Sequence, residues 1–170
     1  MNKDLYPLLH NRGHHFRHEM GVPVDVTLLL GRSEAAAMWM GGLVAYSTGF
    51  ELIQIGVFRD RSAITTVATG RPTLVIRFAD GLESKTTGLP FMPVPNPPPY
   101  WGMLTEIHGH WNESTWFWIW LVRPLPPPDR LTIVAAFEAA GISETTHVID
   151  TAPIVDAAAR AEPLWRTGAL

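Results

Sequence analysis

Apolar side chains recur at every second position in several stretches of the chain, which is the period of a β-strand with one buried face. Such stretches occupy residues 22–32, 73–78 and 131–137. The pattern predicts a protein built mainly from β-strands. The residues predicted to point into its core are Val24, Val26, Leu28, Leu30, Leu74, Ile76, Phe78, Leu131, Ile133, Ala135 and Phe137.

One further segment, FELIQIGVFR, is apolar at both sets of alternate positions. One set contains Ile53, Ile55 and Val57, and the other contains Leu52 and Phe58. A strand that is apolar on both faces is covered on both sides, or presents one of its faces to another molecule.

Glycine-containing pairs mark the predicted turns. Gly41–Gly42 lies between two apolar runs and predicts a hairpin, because both glycines can adopt positive φ. Thr48–Gly49 predicts a second bend. Asp80–Gly81 predicts a type I′ turn, after which residues 82–87 return as an edge strand.

The ends of the chain and its proline tract define the domain organisation. Residues 1–21 are polar, rich in histidine and without periodicity, so we expect a flexible arm. Residues 22–170 are expected to form a single β-sandwich domain. Within it, residues 88–103 hold many prolines and are predicted to be an extended loop with Tyr100 and Trp101 near its end.

One helix is predicted, from Asp150 or Thr151 as N-cap to Pro163. Its apolar stripe would contain Ile154, Ala158 and Ala161, and would extend to Leu164 and Trp165. Short strands with regular turn signals and one terminal helix predict an all-β fold. We expect an antiparallel β-sandwich, immunoglobulin-like or jelly-roll in outline, with one C-terminal α-helix.

Composition narrows the possible partners. The chain has 170 residues, of which 46% are hydrophobic and 17% charged, with a net charge of −3. No basic cluster is present, so nucleic acid is not expected to bind. No apolar run reaches the roughly 18–20 residues that span a bilayer, so no membrane association is expected. Without cysteine, disulfides and thiolate chemistry are excluded, and we expect a cytoplasmic protein.

Two histidines and a glutamate follow the proline tract in the segment GMLTEIHGHWNE. His108 and His110 occupy alternate positions and would share one face of a strand, and Glu113 could complete a site for a divalent metal ion. The segment resembles the first motif of the cupin family, but the glutamate comes earlier than in cupins. The second cupin motif is missing, and His147 alone lies downstream. The alternative is that both histidines are solvated.

Three tryptophans, Trp116, Trp118 and Trp120, alternate with Phe117 and other apolar residues in STWFWIWLVR. They would share one face of a strand and fill a core or an oligomer interface. The alternative is an exposed platform that binds sugars or aromatic ligands. We therefore regard the six aromatic residues of this region as candidate ligand or interface residues: Tyr100, Trp101, Trp111, Trp116, Trp118 and Trp120.

A wider resemblance covers most of residues 22–165. The segments YSTGFELIQIGVFRD, LVIRFADG and WIWLVRPLPPPDR, followed by ID and an alanine-rich helix, resemble a family of uncharacterised bacterial proteins. The resemblance implies a shared fold and assigns no chemistry.

Catalytic arrangements are absent from the sequence, since no serine lies in a nucleophile motif and no glycine-rich phosphate loop occurs. Glu51, in an apolar strand, is expected to pair with Arg59 or Arg77 across a sheet. We expect a non-enzymatic interaction or structural module that self-associates or binds another protein, without a cofactor. The alternative is a cupin-like metal-dependent enzyme or metal-binding protein that holds a divalent metal ion with His108, His110 and Glu113.

Overall fold

The structure, a computed structural model, describes residues 18–60, 70–86, 104–111 and 114–165, with Trp111 placed by its backbone. Two antiparallel sheets pack face to face, which confirms the predicted all-β sandwich. The elements are β1 (Glu19–Met20), β2 (Val22–Val24), β3 (Leu28–Arg32), β4 (Ala36–Tyr46), β5 (Gly49–Phe58), β6 (Thr73–Phe78), β7 (Glu83–Lys85), β8 (Leu104–Trp111), β9 (Thr115–Val122), β10 (Arg130–Phe137), a 3-10 helix (Glu138–Ala140), β11 (Ile142–Asp150), α1 (Ala152–Ala158) and β12 (Glu162–Pro163).

The larger sheet has six strands in the order β2–β4–β5–β9–β8, and β3 also pairs with β4. The hairpin of β4 and β5 forms its centre, with Ala36 opposite Phe58 at one end and Tyr46 opposite Gly49 at the other. Strand β9 then pairs with β5 although the two are distant in sequence. The smaller sheet has the order β11–β10–β6–β7.

The core lies between the two sheets and contains the residues that alternation predicted, except that Val26 and Leu28 are only partly buried and pack against it. Leu74, Ile76 and Phe78 of β6 are buried, as are the inward residues of β10, which are Leu131, Ile133, Ala135 and Phe137. Phe137 joins the sheets, because its ring centroid lies 6.4 Å from that of Phe58. Burial of these apolar side chains is the main force that holds the two sheets together.

The predicted hairpin at Gly41–Gly42 is wrong, because β4 runs without a turn through both glycines. Met40 pairs with Gln54 and Gly42 pairs with Ile53, so Gly41 is an extra residue that forms a β-bulge. A Cβ atom on Gly41 would lie 2.4 Å from Cδ1 of Ile55, so the end of the Ile55 side chain would have to move for a larger residue. The bulge also shifts the alternation, and both Met40 and Leu43 consequently point into the core.

Two other local predictions are refined. Residues 22–32 form two strands, β2 and β3, and both pair with β4 on the same side. The turn before β7 is a three-residue loop, not the predicted two-residue type I′ turn. In it the Gly81 N–H donates to the Phe78 carbonyl, and Gly81 has φ +87°. This arrangement is the three-residue hairpin loop with a left-handed glycine.

The helix begins where predicted but ends earlier. Thr151 is the N-cap of α1, and Ile154 and Ala158 are buried as the apolar stripe predicted. Leu164 and Trp165 are exposed and lie outside the helix, which corrects the prediction for them. The reason is tertiary, because β12 pairs with β1 and the Leu164 N–H donates to the His18 carbonyl at 2.7 Å.

The described part of the predicted arm, residues 18–21, belongs to this terminal pairing. Met20 lies opposite Glu162, and the Ser47 N–H donates to the Glu19 carboxylate at 3.0 Å. The remainder of the arm, residues 1–17, and the proline loop of residues 88–103 lie outside the described residues. Within the part of the chain that the structure describes, no helix has the length and apolarity needed to cross a bilayer.

Candidate functional site

Strand β9 carries the three tryptophans, and all three indoles point into the core. Trp116, Trp118 and Trp120 expose 1%, 2% and 5% of their surface. The interpretation that they fill the core is therefore confirmed. An exposed platform on these indoles is ruled out, and they are not accessible to a ligand or to another chain at the surface.

Two of these indoles pack against glycines of neighbouring strands. Trp116 lies over Gly56 of β5, where a Cβ atom would be 2.0 Å from the indole ring. Trp118 lies over Gly109 of β8, where a Cβ atom would be 2.6 Å from the indole. The glycines supply the space that the indoles fill, which explains how a strand with three tryptophans fits in a close-packed core. Phe137 contacts Trp116 edge to face at 5.4 Å.

The third indole is anchored by a buried hydrogen bond. Trp120 donates from Nε1 to Oε1 of Gln54 at 2.8 Å, and Gln54 is fully buried. Gln54 in turn directs its Nε2 at the sulfur of Met38, also at 2.8 Å. A buried indole N–H requires a partner, and Gln54 supplies it from the adjacent strand.

The other candidate aromatic residues are placed only in part. Trp111 ends β8, with its Cα opposite that of Trp116. Tyr100 and Trp101 lie outside the described residues, as does Glu113. Their roles as ligand, interface or metal-binding residues stay predictions.

The two candidate metal-binding histidines lie on β8, the last strand of the larger sheet. His108 and His110 are exposed and point away from the core, which confirms that they share one face. Both rings contact Phe117, with centroid distances of 5.4 Å and 5.7 Å. The two imidazoles therefore contact the same aromatic side chain.

No third ligand joins this pair within the described residues, where no group of three or more histidine or acidic side chains could hold a metal ion. His147 lies on β11 of the other sheet, and its Nε2 is 3.3 Å from the Leu30 carbonyl and 3.1 Å from the Thr145 hydroxyl. Glu106 is engaged in an ion pair with Arg71 at 2.7 Å. The cupin-like set is thus not assembled from the residues that the structure describes.

A larger feature is the surface of the six-stranded sheet that faces away from the core, which we call the outer face. One row of cross-strand neighbours spans five strands: Leu29, Trp39, Ile55, Phe117 and His110. The next row contains Gly42, Ile53, Ile119 and His108. Flanking rows add Ala37, Val57 and Thr115 on one side, and Val44, Glu51, Leu121 and Thr105 on the other.

The sequence pattern predicted only part of the outer face. It indicated that β5 is apolar on both sides, but it did not indicate Trp39, because a hairpin at Gly41–Gly42 would divide β4 into two strands. A signal was present, because the inward residues Met40 and Leu43 are three positions apart instead of two. That spacing is what a single-residue bulge produces.

A polar cluster lies at one margin of the outer face. The Tyr46 hydroxyl donates to Oε2 of Glu51 at 3.3 Å. Burial raises the pKa of Glu51, and the hydrogen bond from Tyr46 opposes part of this rise. Burial and the charge of Glu51 raise the pKa of Tyr46. Among the described residues, the expected pairing of Glu51 with Arg59 or Arg77 is not seen, and Arg77 instead pairs with Glu83 at 2.6 Å.

Glu51→Gln is expected to raise the thermal midpoint at neutral pH. Because burial raises the folded-state pKa of Glu51 above its ordinary value of 4.5, the folded chain binds the proton more tightly than the unfolded chain does. Stability therefore falls as the pH rises from 4.5 through the raised pKa, and stays lower above it. Glutamine keeps an acceptor for Tyr46 without the charge. Thermal denaturation followed by circular dichroism at neutral and acid pH tests this.

The increase in thermal midpoint caused by Glu51→Gln should become smaller as the pH falls below the ordinary carboxyl pKa. Glu144→Gln, at an exposed position of β11, is the matched control and should change the midpoint little at either pH. A lower midpoint for Glu51→Gln at neutral pH would mean that the charged hydrogen bond outweighs the burial of the carboxylate.

No protein-family model, curated protein or solved structure matches the chain. The resemblance of residues 22–165 to a bacterial family stays a prediction.

Proposed function

We propose that this protein is a non-enzymatic β-sandwich module that self-associates, and that the outer face of its larger sheet is the interface. The observation that carries the proposal is the continuous apolar character of that face. An antiparallel sheet that is solvated on one side normally alternates apolar and polar residues, with the polar ones outside. In β5 and β9, both sets of alternate positions are mainly apolar.

The central residues of the outer face are large and partly accessible. Trp39, Ile53, Ile55 and Phe117 are each half-buried by their own neighbours, and Leu29 remains 49% exposed. Among the described strands of this sheet, Arg32 and Glu51 are the charged residues that share this face. A contiguous apolar patch with charges only at its margins is typical of a protein–protein interface.

The smaller sheet provides an internal comparison. On its solvent side, Arg130 lies opposite Asp150, and Arg77 forms an ion pair with Glu83. Thr132 and Thr146 lie in the same layer next to Val148 and Val134. This side has the mixed polar surface expected of a solvated sheet, so the apolar outer face is a property of one sheet and not of the whole chain.

Self-association is tested by light scattering coupled to size-exclusion chromatography, with EDTA present to exclude metal effects. The wild-type chain is expected to have a mass above that of one chain at micromolar concentration. Ile55→Glu places a charge at the centre of the outer face and should restore the single-chain mass, because the carboxylate would have to be desolvated in the interface. Ile53→Lys tests the neighbouring row in the same way.

Val148→Glu is the matched control, since it adds the same charge at a β-branched, 61% exposed position of the smaller sheet. It should leave the mass unchanged. Circular dichroism would verify that each variant is folded. A wild-type chain that is a clean monomer at micromolar concentration would contradict the proposal.

The proposal retains the cytoplasmic location and the absence of a catalytic role that the sequence predicted. The same apolar face could bind a different protein instead of a second copy. A chain that binds only a different protein would be a monomer in the light-scattering experiment, and that result would refute self-association.

A further inference from the structure

We infer that His108 and His110 are one half of a divalent metal site, which a second copy of the chain completes. The two copies would pair along the β8 edge that no other described strand occupies, antiparallel and centred on Gly109. The proposal goes beyond the outer-face association, because it assigns a metal ion and a different contact. It also differs from the cupin-like site, because the missing ligands come from another chain and not from Glu113.

The geometry of the pair suits a metal ion but does not complete a site. Alternate positions on a strand place both imidazoles on one face. Their shared contact with Phe117 keeps the two exposed rings close together. Zinc takes four ligands in structural sites, and imidazole is among its common ligands. Two imidazoles therefore leave half of the coordination sphere open, and the described residues contain no further ligand group.

Within the described residues, β8 is an edge strand of the larger sheet and lacks the features that block the edges at β2 and β7. Exposed strand edges invite pairing with another chain, and proteins block them with proline, charge or short length. Strand β2 contains Pro23, and β7 has only three residues, with charged Glu83 and Lys85 at its ends. Strand β8 has eight residues. From Ile107 to Trp111 it contains neither a proline nor an acidic, lysine or arginine residue.

Antiparallel pairing about Gly109 fixes which residues meet. His108 of one copy lies opposite His110 of the other, and the reverse pair is two residues away along the strand. Directly opposed residues have Cβ atoms about 4.5–5.5 Å apart, a separation that imidazole side chains can bridge to a common ion. Gly109 contributes no side chain of its own, and the indole of Trp118 occupies the space beneath it. Four imidazoles therefore gather on one face.

The experiment uses the full chain without an affinity tag, first in EDTA and then titrated with ZnCl₂. Light scattering measures the mass, and elemental analysis measures bound zinc. We expect zinc to at least double the mass of the metal-free species, with one zinc ion for every two chains, because an outer-face dimer carries two β8 edges. One zinc ion per chain without a change in mass would overturn the proposal, because the site would then be complete within one chain. So would the absence of any effect of zinc on the mass.

Two pairs of variants locate the site. His108→Ala combined with His110→Ala should abolish the zinc-dependent doubling and leave the thermal midpoint in EDTA unchanged. The control, His14→Ala combined with His18→Ala, removes histidines from the N-terminal segment and should leave the doubling intact. If the control abolishes the doubling, or the first pair does not, β8 is not the site.

The pairing register is measured with a spin label, since the chain has no native cysteine. Ile107 is 38% exposed, so Ile107→Cys can be labelled. In the proposed register, the two labelled Cα atoms would lie about 14 Å apart, from four residue rises of ~3.4 Å and one strand spacing of ~4.8 Å. A zinc-dependent dimer whose label separation is far larger would refute edge pairing.

The two proposals fail independently. Ile55→Glu should remove association in EDTA but retain the zinc-dependent doubling. The double histidine variant should lose the doubling, and its association in EDTA should weaken less than that of Ile55→Glu, because both histidines lie at the β8 margin of the outer face. Loss of the zinc-dependent doubling in Ile55→Glu would refute the assignment of the metal site to a separate edge contact.

Discussion

Gly56→Ala is expected to lower the free energy of unfolding by about 3 kcal/mol, at the upper end of the usual range for overpacking a core. The new Cβ atom would lie 2.0 Å from the ring of Trp116, which is 1% exposed and also packed against Phe58 and Phe137. The indole could move only by displacing the rings that contact it. Urea denaturation, with the midpoint and slope analysed together, measures the loss.

The matched control is Gly42→Ala, at a glycine of the neighbouring strand. Its Cβ atom would lie 3.7 Å from Cδ1 of Ile53, which is ordinary van der Waals contact. Alanine is also favoured over glycine within a strand, so we expect no loss or a slight gain in stability. Gly56→Ala should lower the free energy of unfolding less in a Trp116→Leu background than in the wild-type chain. Equal effects of the two alanine substitutions would contradict the packing argument.

Gln54→Leu is expected to lower the free energy of unfolding by about 2 kcal/mol, although it replaces a buried polar side chain with an apolar one. In the wild-type chain, Nε1–H of Trp120 donates to Gln54 at 2.8 Å. Leucine removes this acceptor and leaves the indole N–H buried without a partner. An unsatisfied buried donor costs about 1–3 kcal/mol. Thermal and urea denaturation of the single variant measure the effect.

A double-mutant cycle separates the hydrogen bond from packing. Trp120→Phe removes the donor and leaves Gln54 without its indole partner. Combining Gln54→Leu with Trp120→Phe removes both partners, so the loss should be smaller than the sum of the two single losses. Additive losses would show that the two side chains stabilise the core independently.

The sequence predicted local structure well where one face of a strand was uniformly apolar. Alternation identified the inward residues of β6 and β10, and it separated the tryptophans of β9 from Phe117 and Ile119. It failed at Gly41, because a hairpin and a bulge use the same residue type. The difference lies in whether the chain on either side pairs with itself or with β5, and this is decided by contacts between strands.

In the candidate site, the sequence likewise predicted the local features and not the contacts between strands. The placement of His108 and His110 on one face follows from their spacing alone. Their contact with Phe117 depends on β8 pairing with β9, and the edge position of β8 depends on the order of all six strands. The burial of the tryptophans likewise required Gly56 and Gly109 to be brought beneath them from other strands.

By itself, the order of residues determined the class of fold and which side chains share a face, because the two-residue period of a strand is a local property of the backbone. Tertiary structure decided which of the two faces of β5 and β9 lies inside. Both faces are apolar, so hydrophobicity cannot choose between them. The choice was made by shape, since glycines from neighbouring strands leave room for the indoles of Trp116 and Trp118 on one side, and Gln54 provides a hydrogen bond acceptor for Trp120 there.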